Sequence, residues 1–221
     1  DRSDGAPFTA DDILFWYEDV LQNTDLNPTI WSIWLPGGEL MKVEKVDDYT
    51  VRFNFAVPNP LITIQLAHWA GGVTGCFLPK HYLSKWHIKY NPDADKLAQE
   101  EGYDHWWQLF QRKANLQAAL GVQADVEHPT LMAFVLKKKG ADFVMSERNP
   151  YYWKVDPAGN QLPYIDRVFV TSVGDREVLN AKIVAGEVDL EGHNTELKNL
   201  PLYKDSAEKG NYRVVIWNSV G

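Results

Sequence analysis

One cysteine in 221 residues excludes an internal disulfide. Cys76 stands between Gly75 and Phe77 in an apolar stretch, the setting of a buried, inert thiol, and no general base is evident beside it. No apolar run approaches the roughly 18–20 residues that a membrane-spanning helix needs. The opening Asp1-Arg2-Ser3-Asp4-Gly5 holds neither methionine nor an apolar targeting region. Positive charge is scarce: 22 Lys and Arg against 30 Asp and Glu leave a net charge of −8. That balance argues against a nucleic-acid partner, because neutralising phosphates takes clustered cations. The only basic run, Lys137-Lys138-Lys139, is followed by Gly140 and reads as a solvated hairpin turn.

Catalytic signatures are equally sparse. The histidines, His68, His81, His87, His105, His128 and His193, form no His-Glu-x-x-His pair or other close ligand set, so neither a metal nor another cofactor is expected. No Gly-x-Ser-x-Gly elbow occurs. The glycine-rich residues 71–75 lack the spacing and Lys-Ser/Thr ending of a phosphate loop, and read as a flexible connection. One carboxylate group stands out: Glu187, Asp189 and Glu191 share a face if their segment is extended. Beside nine tryptophans this opens a glycosidase-like alternative, a carbohydrate-active enzyme working through those three acids. A solvated strand end is the simpler reading, and no catalytic residue is assigned.

What remains is 45% apolar and 24% charged, a globular composition long enough for one large domain or two modest ones. Thr9 caps a helix whose first turn carries Asp11 and Asp12, and Ile13, Trp16, Tyr17, Val20 and Leu21 recur on one face. Residues 41–46 and 49–55 pair as strands around Asp47-Asp48; Tyr49, Val51, Phe53 and Phe55 alternate with polar residues. A short helix covers 61–69. Residues 84–121 are helical in pattern, with Trp106, Leu109, Phe110, Leu116 and Leu120 able to share a face. Residues 130–136 and 142–145 form a hairpin, and 167–173 a further strand. Asp175 then caps a helix that ends at Gly186, where a left-handed glycine is expected. Residues 188–190 and 212–217 read as strands, and 196–209 as partly helical. Strands alternating with helices give an α/β fold with mixed sheets.

The most distinctive stretch is 146–167. Its three prolines forbid a continuous helix or central strand, yet it carries Tyr151, Tyr152, Trp153 and Tyr164. It reads as a rigid crossing whose rings pack onto a sheet. Asp156-Pro157-Ala158-Gly159-Asn160 is a tight turn with too few oxygen ligands for a calcium loop. Glu147-Arg148 reads as an ion pair or a charge array at a strand end.

Glu147-Arg148-Asn149-Pro150-Tyr151-Tyr152-Trp153, followed by Gly159-Asn160-Gln161-Leu162-Pro163-Tyr164-Ile165-Asp166, closely resembles the family 5 extracellular solute-binding proteins of ABC importers. That family binds oligopeptides and dipeptides, and includes binders of oligosaccharides, nickel and opines. Two more blocks match in order, residues 3–12 and Gly186-Glu187-Val188-Asp189-Leu190, leaving about 84–127 unmatched.

The resemblance implies a periplasmic-binding-protein-like fold of type II, present here as two partial lobes. Residues 1–79 would belong to the smaller lobe and 80–221 to the larger, with the boundary near Pro79 in Leu78-Pro79-Lys80-His81-Tyr82 and an insertion at 84–127. An amino-terminal portion and a third domain would be missing, as in a piece of a protein more than twice as long. The implied function is capture of an oligopeptide or oligosaccharide in an interlobe cleft by lobe closure, and delivery to an ABC permease. It would act in the periplasm or at the cell surface, touching the membrane only through the permease or a lipid anchor. The implied contacts are Glu191, Gly192, His193 and Asn194 at a strand end, and Trp31 and Trp34, whose indoles offer flat faces for a sugar or an aromatic side chain. Gly192 stands where relatives place a ligand-contacting residue, so backbone approach or a bulkier ligand would replace that contact. The aromatic content of 13% favours oligosaccharide. A peptide sensor or chaperone of the same fold is the second rival.

Overall fold

A computed structural model describes residues 1–67, 73–115, 126–192 and 194–216. The chain divides into two compact units, Asp1–Lys139 with Val144–Phe169, and Gly140–Phe143 with Val170–Gly221.

In the first unit, helix α1 (Ala10–Phe15) starts at Thr9. Thr9 Oγ1 accepts the Asp11 N–H (3.3 Å) and Asp12 Oδ2 accepts the Thr9 N–H (3.1 Å), satisfying donors that a helix start leaves open. The helix continues as a π-helical segment, Trp16–Leu21, so Ile13, Phe15, Trp16, Val20 and Leu21 all reach the core. Strands β1 (Lys42–Asp47) and β2 (Thr50–Asn54) pair antiparallel, with Val43 opposite Phe53 and Lys45 opposite Val51. Their apolar face lies on the same core. Tyr49 shares that alternation but sits at the hairpin turn and is exposed.

Helix α2 (Ile62–Ala67) covers part of the expected 61–69 segment; residues 68 and 69 lie outside the described residues, as do Gly71 and Gly72. Helices α3 (Lys80–Leu83), α4 (Ala94–Glu100) and α5 (Trp106–Ala114) follow. Asp95 Oδ1 accepts the Trp106 N–H at 2.8 Å, joining α4 to the start of α5. Trp106, Leu109 and Phe110 are buried as one face; Leu116 and Leu120 lie outside the described residues.

Around Pro79 the chain is tied back to its first residues. Arg2, 1% exposed, donates to the carbonyls of Phe77 (3.1 Å) and Leu78 (3.0 Å), and its Nη2 lies 3.4 Å from Asp12 Oδ2. Asp12 Oδ1 accepts the Lys80 N–H at 2.9 Å. Leu78, Tyr82 and Leu83 then enter the core that holds Phe15 and Trp16. Burial lowers the Arg2 pKa, opposed by the Asp12 carboxylate.

Strands β3 (Phe134–Lys139) and β4 (Phe143–Arg148) are antiparallel, and β5 (Arg167–Thr171) completes the order β3-β4-β5. Lys137, Lys138 and Lys139 are exposed at the end of β3, before a turn closed by Gly140 N–H to Phe143 O at 2.9 Å. Glu147 and Arg148 pair with the neighbouring strand rather than with each other: Glu147 with Arg167 (3.1 Å) and Arg148 with Asp166 (3.2 Å).

Between β4 and β5 the rings do not pack down as expected, because Tyr151, Trp153 and Tyr164 are exposed. Polar bonds hold this crossing. Asp156 Oδ1 accepts the N–H groups of Ala158 and Asn160, each at 2.8 Å, and Oδ2 accepts the Tyr164 hydroxyl at 2.6 Å. Buried Asn149 donates to Met132 O at 2.9 Å and accepts from Tyr151 N at 2.9 Å.

In the second unit, Asp175 Oδ1 caps α6 (Arg176–Val184) by accepting the Val178 N–H at 2.8 Å. The helix ends as Gly186 N–H bonds Ile183 O (2.9 Å) and Glu187 N–H bonds Lys182 O (3.0 Å), a Schellman closure. Gly186 has φ 74°, and a β-carbon there would collide with the backbone of Gly210. Helix α7 (Leu200–Ser206) is joined to α6 by the Tyr203 hydroxyl on Asn180 Oδ1 at 2.6 Å. Neither 188–190 nor 212–216 forms a strand; Trp217 lies outside the described residues. Leu190 is 88% exposed. A short alternating run becomes a strand only beside a ladder partner, and among the described residues neither segment has one.

Candidate functional site

Pro28 and Pro36 bound the tryptophan segment, too short for regular structure beyond one 3-10 turn, Ser32–Trp34. The Trp31 carbonyl accepts the Trp34 N–H at 3.0 Å, and the Trp34 carbonyl accepts the Met41 N–H at 2.9 Å. The two indoles meet different surroundings. Trp34 is 4% exposed, edge-on to Trp16 (5.1 Å between centroids) and near-parallel to Phe53 (6.4 Å, 20°). Core rings enclose it. Trp31 is 51% exposed. Its segment is fixed to the next stretch of chain through Asn59 Nδ2 on Ile33 O (3.4 Å).

In the other unit, Glu191 organises its own loop. Glu191 Oε1 accepts the Gly192 N–H at 3.0 Å and the Asn194 N–H at 2.8 Å. Gly192 and Asn194 are exposed, and among the described residues no atom beyond its chain neighbours lies within 4 Å of where a Gly192 β-carbon would stand. His193 lies outside the described residues. The loop therefore leaves the Gly192 face clear of side chains and Asn194 exposed. The strand that would align Glu187, Asp189 and Glu191 is not formed, and Glu187 pairs with Lys182 at 2.9 Å. This arrangement brings no two of the three carboxylates onto a shared strand face.

Cys76 is free and buried, and burial pushes its thiol up to about 12. It borders an apolar cavity of about 250 Å³ whose other walls include Phe8, Ile13, Val51, Phe53 and Phe77. A cavity of that lining suits hydrocarbon and supplies little to hold a hydroxyl-rich or charged solute. Among the described residues, no group of three His, Cys, Asp or Glu side chains is placed to hold a metal ion.

Two buried polar centres escape a reading by periodicity: Arg2 on Asp12, and His87 on Asp19. A signal for them existed. Asp12 and Asp19 fall on the apolar face of the first helix, where an unpartnered carboxylate is costly, so distant partners were required: Arg2 for Asp12, and for Asp19 Lys89 and Tyr90, which follow His87.

The family model of bacterial extracellular solute-binding proteins, family 5 Middle, matches residues 3–218. A periplasmic alpha-galactoside-binding protein of Rhizobium meliloti (strain 1021) is 31% identical over 190 residues, 85% of this chain and 24% of that protein. Among solved structures, an oligopeptide-binding protein OppA superposes with a TM-score of 0.83 at 37% identity, covering 98% of this chain and 33% of that one. The periplasmic binding protein MelB of Agrobacterium fabrum C58, in complex with stachyose, gives 0.67 at 25% identity, covering 93% and 28%. The chain thus spans about a quarter to a third of the length of these relatives. With the family pattern running almost end to end, this chain belongs to the family 5 bacterial extracellular solute-binding proteins.

Proposed function

We propose that the protein serves as the extracytoplasmic solute-binding component of an ABC importer, capturing an oligosaccharide or oligopeptide and passing it to a permease. Trp31 carries the reading. An indole left half open on a segment pinned by its neighbours loses little freedom when a ring stacks on it, which suits it to grip a solute. The loop at Glu191, Gly192, His193 and Asn194 is assigned a second, separately testable contact, with Asn194 and the Gly192 backbone as polar partners. Trp34 backs the fold rather than the solute.

Two relatives favour oligosaccharide, one named for alpha-galactosides and one bound to stachyose; the oligopeptide-binding relative keeps peptide as the competing class. Their periplasmic names support action outside the cytoplasmic membrane, and no helix among the described residues is long and apolar enough to cross one. The protein holds its solute without turning it over, and Glu187, Asp189 and Glu191 have no catalytic role.

A thermal-shift screen of the full-length protein against stachyose, other alpha-galactosides and oligopeptides tests the assignment. Stabilisation by one class identifies the solute. Hydrolysis of a chromogenic alpha-galactoside, or no shift with any member of either class, overturns the proposal.

A further inference from the structure

His87 is 2% exposed and belongs to none of the surfaces assigned to solute. Both its nitrogens are engaged. Nδ1 lies 3.2 Å from the Lys89 N–H and accepts from it, so the proton sits on Nε2, which donates to the Asp19 carbonyl at 3.0 Å. The acceptor lies in the π-helical segment Trp16–Leu21. Four rings enclose the imidazole: Phe15 at 6.0 Å, Tyr90 at 5.7 Å, and from α5 Trp106 at 4.7 Å and Phe110 at 5.3 Å. One neutral imidazole thus joins the first helix, its own segment and α5.

The charged groups around it are already matched. From the π-helical segment comes Asp19, whose carboxylate bonds Lys89 Nζ at 2.5 Å and the Tyr90 hydroxyl at 2.5 Å. From its own segment come Lys89 and Tyr90, the latter with Lys80 Nζ over its ring at 5.7 Å. Phe15 and, from α5, Trp106 and Phe110 present uncharged aromatic rings. A second proton on His87 would sit on Nδ1, facing the Lys89 N–H donor, with no hydrogen-bond acceptor for it among the described residues and aromatic rings around it.

We infer that His87 is a proton-sensitive latch, holding α5 and the segment before it against the first helix while neutral and releasing them when protonated. Burial lowers the pKa of this histidine, the direction that the geometry requires. The closed state then excludes a proton that the open state accepts. The contribution of the latch is complete above the ordinary histidine pKa of about 6.5 and is lost as pH falls below it. The inference is independent of the solute assignment.

Native-state hydrogen exchange at pH 7.5 and 5.0, corrected for intrinsic rates, reads the latch directly. The opening constant of α5 amides should rise by up to about thirtyfold at the lower pH, the ratio set by a free histidine titrating near 6.5 against a closed state that stays unprotonated. His87→Gln keeps a donor for Asp19 but cannot titrate. Its α5 should open more readily at pH 7.5 and show a flattened pH response. Equal wild-type protection at both pH values, or an unchanged pH response in the variant, overturns the latch. Should the variant not fold, nitrogen-15 spectra of the wild-type imidazole decide. An Nε2–H tautomer at pH 7.5 is expected. An Nδ1–H tautomer, or an imidazolium at pH 5.0 with α5 still protected, overturns it.

Discussion

Between Thr9 and Ala114 the chain buries Phe15, Met41, Leu83 and Phe110 almost completely, whereas between Val170 and Ile216 it leaves Leu190 88% and Leu197 79% exposed. The first region is held by interlocking rings and by two buried carboxylates with distant partners. The second is held by its backbone: the Asp175 cap, the Gly186 closure and the Tyr203–Asn180 hydrogen bond. Apolar burial and backbone satisfaction are thus unequally shared along one chain, and the two regions should answer differently to substitution.

The largest effect belongs to the first region. Phe110→Ala empties a fully buried site that touches Phe15, His87 and Trp106, and should cost about 3–5 kcal/mol in chemical denaturation followed by tryptophan fluorescence. Next comes the backbone of the second region. Gly186→Ala forces a side chain to φ 74° and against Gly210, and should cost about 1–3 kcal/mol, seen as faster hydrogen exchange in α6. Leu190→Ala, at an exposed apolar residue, should change stability by less than about 0.5 kcal/mol. A loss for Leu190→Ala as large as that for Phe110→Ala would erase the contrast.

The smallest effect is local and set by pH. Hydrogen bonds from the Tyr164 hydroxyl, then from Asn160 and Ala158, lower the Asp156 carboxyl to about 2. A carboxylate whose folded pKa is depressed helps above its ordinary value and stops helping as pH falls through the folded one. The turn should therefore stay closed at pH 4 and open as pH drops towards 2. The Tyr164 ring resonances should report it.

Much of this was legible in the residues. The Thr9 cap, the strand hairpin, the Asp156 turn and the Asp175–Gly186 helix each depend on neighbours within a few positions, which residue type and period encode. The Arg2 hydrogen bonds span 75 and 76 residues, and His87 reaches 68 residues back to Asp19, distances at which local pattern is silent. The strands expected at 188–190 and at the described residues 212–216 do not form for a related reason, since alternation states what a strand would expose but not whether a partner exists. At the candidate site, Trp31 and Trp34 each follow an isoleucine in one short stretch of sequence, and tertiary packing leaves the first open and encloses the second.

Isothermal titration of stachyose into the full-length protein and its Trp31→Ala variant tests the central claim most directly. The account expects binding by the parent and a loss of roughly tenfold or more in the variant, the scale of one aromatic anchor, with thermal stability little changed because Trp31 is half exposed. Equal affinity in the two proteins would contradict it.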